Sequence, residues 1–92
     1  MSKRLTLKRD FNLTRLFLKM RPDAELYAAN EDSTTFTLRK TGSGILGGTL
    51  DREDAEKMMK TKKVVVIYED INEIEYYNFT NDSEIFSWVM NN

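Results

Sequence analysis

Val64 to Glu69 reads VVVIYE, and a β-branched run of that length makes a strand in the middle of a sheet. The rest of the chain has to be arranged around it. Its 92 residues suit one domain, 1–92, with a single modest core. Hydrophobic residues at 40% and charged residues at 32% are ordinary for a globular protein and argue against disorder.

On either side of that run the apolar period alternates between 2 and 3.6. Arg4 to Lys8 places Leu5 and Leu7 on one side, a short first strand. Leu13, Leu16, Phe17 and Met20 stand at i, i+3, i+4 and i+7, which predicts a helix over 12–21 with Arg15 and Lys19 on its polar face. Asn12 suits its cap, and Pro22 forbids continuation. ELYAA and TTFTLRK flank the turn residues Asn30-Glu31-Asp32-Ser33, predicting a hairpin with Phe36 and Leu38 inward and Thr35, Thr37 and Arg39 outward. Pro22 would also suit the first position of a short helix through Ala29; the strand is preferred.

A helix over 51–62 has a cap in Asp51, a staple in Leu50 and Ala55, acids at its start and Lys60, Lys62 and Lys63 at its end. After a turn near Asp70-Ile71-Asn72, EIEYYNF puts Ile74 and Tyr76 on one face and Glu73, Glu75 and Tyr77 on the other. Asn81 and Glu84 have capping-box spacing and open a helix over 82–91, apolar over most of its girth, so that part of it must be covered. The expected fold is a small two-layer α+β domain: a mainly antiparallel sheet of about five strands with the three helices on one face.

All four glycines fall in TGSGILGGTLDRED, which contains a literal G-x-G-x-x-G. A strand precedes it, a helix follows, and Glu69 and Asp70 stand near where a ribose-binding acid belongs. The physics of a dinucleotide site is missing. Thr49 and Leu50 separate the glycines from the helix, whose first amides are taken by Asp51, and the preceding strand alternates as one wet on one face does. The glycines read instead as a turn at TGSG, a short strand over 45–50 and a bulge at Gly47-Gly48.

With no cysteine and no histidine, the chain lacks thiol chemistry, disulfides, and the commonest general base and metal ligand. No acid–base pair stands out, so the expectation is a protein that is not an enzyme, with no cofactor and no metal. The start of the chain has no signal-peptide pattern and no run spans a bilayer, which points to the cytoplasm, that of a host if the source is a phage.

Charge is polarised along the chain. Residues 1–22 carry seven Lys and Arg against Asp10 alone, whereas 64–92 carry six carboxylates and no Lys or Arg. Carboxylates beside tyrosines make a surface for a basic partner. The expected contact residues are Tyr68, Glu69, Asp70, Glu73, Glu75 and Tyr77, joined by Ile45 and Leu46 of the glycine loop if exposed. The partner would be another protein or a ribonucleoprotein complex. The function expected is that of a phage or mobile-element inhibitor blocking a host nucleic-acid-processing complex, in anti-CRISPR or anti-restriction style. The alternative is a nucleic-acid-binding accessory protein using Lys3, Arg4, Lys8, Arg9, Arg15 and Lys19. A blander reading is that the basic start lies against the acidic hairpin of its own chain or of a neighbouring subunit.

Overall fold

The computed structural model of the chain describes residues 4–9, 12–39 and 46–91, with Arg4, Leu5 and Leu46 described by backbone alone. The expected turn at 41–44, Ile45 and Lys3 lie outside the described residues. In chain order the elements are β1 (Arg4–Lys8), α1 (Leu13–Met20), β2 (Ala24–Ala28), β3 (Thr35–Arg39), β4 (Leu46–Asp51), α2 (Arg52–Thr61), β5 (Val64–Tyr68), β6 (Glu73–Tyr77) and α3 (Asp82–Met90). The three helix starts follow from their caps. The side chains of Asn12, Asp51 and Asn81 accept from the amides of Arg15, Asp54 and Glu84. Among the described residues no helix is long and apolar enough to cross a membrane.

The strands form one mixed sheet in the order β1-β6-β5-β2-β3-β4. Every neighbouring pair is antiparallel except β2 with β5, where Ala24 to Ala28 run alongside Val64 to Tyr68. The domain is thus of the α+β class expected. Its sixth strand is β4, the segment expected over 45–50 that contains Gly47 and Gly48, which pairs with β3 as an edge. The register slips between Thr37 and Arg39, and Gly48 sits at φ +100, so the irregularity in this hairpin falls where a glycine tolerates it.

VVVIY is central, and buried along its whole length. Val65 and Ile67 pack with Leu16 and Phe17 of α1, Ile74 and Tyr76 of β6, and Ile85 of α3. Val64, Val66 and Tyr68 face the other way, packing with Leu26, Phe36, and Ala55 and Met59 of α2. The helices therefore divide between the faces, where the sequence led us to expect them on one. The arrangement is diagonal: α1 and α3 cover the β1–β6–β5 side of one face, and α2 covers the β5–β2–β3–β4 side of the other. Away from the centre the domain is locally two layers thick. Two quadrants of sheet surface carry no helix among the described residues.

Candidate functional site

The first open quadrant lies beside α1. In β2, Ala24, Leu26 and Ala28 point to α2, which turns Glu25 and Tyr27 to the opposite face. Arg39 lies across from Glu25 in β3, with Thr35 and Thr37 on the same side and Thr49 of β4 beside Thr37. Leu13, Thr14, Phe17 and Leu18 of α1 form a wall over this floor. Between them is a cleft of about 380 Å³ lined by these four residues and by Glu25, Tyr27 and Arg39. Tyr27 also lines a more open hollow of about 510 Å³ that runs past Thr35 and Thr37 to Glu69 and Asp70.

Inside the cleft a carboxylate, a phenol and a guanidinium are stacked together. Glu25 is 5% exposed, and the Tyr27 hydroxyl donates to its Oε1 at 3.0 Å. The Arg39 guanidinium lies 4.7 Å above the Tyr27 ring centroid. Arg39 Nε is buried with no hydrogen-bond partner among the described residues. Burial holds the Tyr27 phenol above its ordinary pKa, reinforced by the charge of Glu25 and the bond to it, and opposed by Arg39 and Arg9. At neutral pH Tyr27 is thus a protonated donor. The cleft offers an apolar wall, a hydrogen-bonded carboxylate and a cation with a donor to spare, which is equipment for contact.

The second open quadrant lies over β6 and β1, on the α2 side of the sheet, and holds two of the four acidic residues expected at a partner surface, Glu73 and Glu75. Lys8 stands opposite Glu73, Thr6 opposite Glu75 and Arg4 opposite Tyr77. The basic first strand therefore does lie against the acidic strand of its own chain. Glu75 is only 1% exposed and accepts a hydrogen bond from Tyr77, so it belongs to no exposed surface. Tyr68 is buried against α2, while Glu73 and Tyr77 are half-buried. Only Glu69 and Asp70 of that set are exposed, and they stand at the turn, on the hollow next to Tyr27. Glu69 is ion-paired with Arg9 at 2.8 Å. Leu46 opens the edge strand β4.

Of the basic residues expected to bind nucleic acid, the four with described side chains, Lys8, Arg9, Arg15 and Lys19, do not form one face. Lys8 and Arg9 are at the end of the sheet where β5 finishes; Arg15 stacks 5.8 Å from the Trp88 ring centroid; Lys19 is at the opposite end, beside Lys63. Among the described residues no group of three or more Asp and Glu is placed to hold a metal ion. Sequence reading missed Glu25, Tyr27 and the wall of α1 as a site. The available signal was the outward parity of Arg39 together with a strand, AELYA, whose polar pair alternates with small and apolar residues. No known family model matches the chain, and neither a curated protein nor a solved structure matches it.

Proposed function

We propose that the chain is a non-enzymatic interaction module that acts by occupying a surface of another macromolecule, with the helix-free face beside α1 as its contact surface. The observation that carries this reading is the cleft in which Arg39 lies on Tyr27 with an unpaired buried donor. Tyrosine and arginine are the residues that concentrate binding energy at interfaces, and a buried donor without an acceptor gains most from one that a partner supplies. Leu18, 59% exposed on the cleft wall, adds an apolar contact. Glu69 and Asp70 at the far end of the same surface favour a partner with a basic patch, since carboxylates steer such a partner into register. The narrower reading, an inhibitor that blocks a host nucleic-acid-processing complex, rests on this acidic end alone.

The test replaces exposed residues of the face and leaves the core intact. Thr35→Arg with Thr49→Arg places two bulky cations on the open sheet, and Leu18→Glu alters the wall. Wild-type protein is expected to capture a defined protein set from nuclease-treated host lysate, and both variants to lose it with an unchanged thermal transition. Identical capture by wild type and both variants would overturn the assignment of this face.

A further inference from the structure

Among the described cations, Arg15 and Arg39 lie over aromatic rings, and two further groups stand apart. Three are set against carboxylates: Arg9 with Glu69 at 2.8 Å, Arg52 with Glu56 at 3.4 Å and Lys57 with Glu53 at 3.7 Å. Five others, Lys19, Arg21, Lys60, Lys62 and Lys63, are exposed at the end of the sheet where β5 begins, and none has an ion-pair partner among the described residues.

These cations come from separate segments that the backbone ties together. The Asp23 amide donates to the Lys63 carbonyl at 2.7 Å, and the Lys63 amide to Asp23 Oδ2 at 3.0 Å. Asn78 Nδ2, from the segment after β6, donates to the Lys62 carbonyl at 3.1 Å. Lys19 and Lys63 share a small hollow of about 80 Å³ with Thr80, Asn81 and Glu84. Five cations thus stand beside three carboxylates, Asp23, Asp82 and Glu84, and one of those, Asp23, is engaged by a backbone amide. The excess positive charge stands on a fixed scaffold at the opposite end from Glu69 and Asp70.

We propose that this end binds a nucleic acid strand through its phosphodiester backbone. Unpaired surface lysines and arginines on a rigid platform give up little intramolecular attraction when they meet phosphates, and the counterions displaced from the strand drive the association. Among the described residues the exposed large apolar side chains are Leu18, Ile71, Phe86 and Met90, and none lies in segments 19–23, 60–63 or 78–81. A surface without apolar side chains to insert favours a phosphate backbone over a bilayer, and one without exposed aromatic rings favours binding that does not depend on base sequence. This surface is separate from the face beside α1, so the two can act together on a complex that contains both protein and nucleic acid.

Fluorescence anisotropy with a short single-stranded RNA and a DNA duplex, across a salt series, tests it. Wild type is expected to bind at about 50 mM salt and to weaken steeply as salt rises. For a single strand, five phosphate contacts give a log–log slope of roughly −3.5, and K62Q/K63Q should reduce its magnitude by about 1.4 and the affinity at least tenfold. R9Q, on a cation already paired at the other end, should bind as wild type does. If K62Q/K63Q lowers the thermal midpoint, K19Q/K60Q probes the same surface. The proposal is overturned if neither probe binds at low salt, if binding is indifferent to both double variants, or if the cations are needed only for vesicles containing phosphatidylserine.

Discussion

Tyr76 is the largest fully buried side chain, and its hydroxyl has no hydrogen-bond partner among the described residues. Its ring earns the position: it packs edge-on against Phe79 at 5.4 Å within the α1–α3 core. The oxygen opposes it. A buried hydroxyl without a partner costs about 1 to 3 kcal/mol, so Tyr76→Phe should stabilise the protein by about 1 kcal/mol in urea unfolding at neutral pH. Burial also pushes the phenol well above its ordinary value of 10.0. Above pH 10.0 the unfolded chain gives up this proton while the folded chain keeps it, so the unfolded state binds fewer protons and stability falls as pH rises. Tyr27, also raised, acts with the same sign. Tyr76→Phe should therefore flatten the alkaline loss of stability in part, and a variant less stable than wild type at neutral pH would show that the hydroxyl is satisfied. The alternation of EIEYY put Tyr76 on one face with Ile74, and that face is the one the α1–α3 core covers; nothing in the sequence says whether an acceptor waits for its oxygen.

At the scale of elements, the same alternation put Glu73 and Glu75 together on one face, yet the fold gives them different environments. Glu75 lies between Thr6 of β1 and Val66 of β5 and is closed over, whereas Glu73 sits at the strand end opposite Lys8. Parity along a strand fixes which residues share a face. It does not fix which strand, from more than sixty residues away in sequence, comes to lie alongside. That is why the acidic hairpin read as a contact surface has Glu73 and Glu75 on an interior strand alongside the chain's own basic start, with only Glu69 and Asp70 exposed at its turn. Reversing the two charges separates the environments. Glu75→Lys should cost about 3 kcal/mol or more, because it buries a cation where the Tyr77 hydroxyl donates to a carboxylate. Glu73→Lys, half-exposed, should cost less than about 1 kcal/mol, mainly from facing Lys8. Equal losses in chemical denaturation would mean that Glu75 is not enclosed. The last helix shows the converse. Of the apolar residues read into it, Ile85 is buried and Trp88 and Val89 are half-covered, but Phe86 and Met90 remain 48% and 80% exposed, so the girth was legible and its covering was not.

For the molecule as a whole, nearly every element was legible, because caps, breakers and periods are local, while the order of the sheet was not. The parallel join of β2 to β5, the division of helices between faces and the cleft that results are products of long-range pairing, which no local pattern encodes. The same pairing reshapes the charge. The polarity along the sequence becomes one between the ends of the sheet, since β1 is set against β6 and the unpaired lysines gather at the close of α1 and α2. The sheet order makes a prediction that element assignment alone does not. β5 is hydrogen-bonded on both edges and buried on both faces, so the amides of Val65, Val66 and Ile67 should exchange with solvent only when the whole domain unfolds. β4 has a partner on one side only, an irregular register and exposed residues at Gly47, Gly48 and Thr49. Its amides should exchange by local opening, at free energies several kcal/mol below the global value from urea unfolding. β1, the other edge, is held by β6 alone and should fall between them, because Leu7 anchors it to the α1–α3 core. Hydrogen exchange followed by NMR at single-residue resolution reads all three strands in one experiment. Protection in β4 equal to that in β5 would show a single cooperative unit, and protection in β1 exceeding that in β5 would contradict the order of the sheet itself.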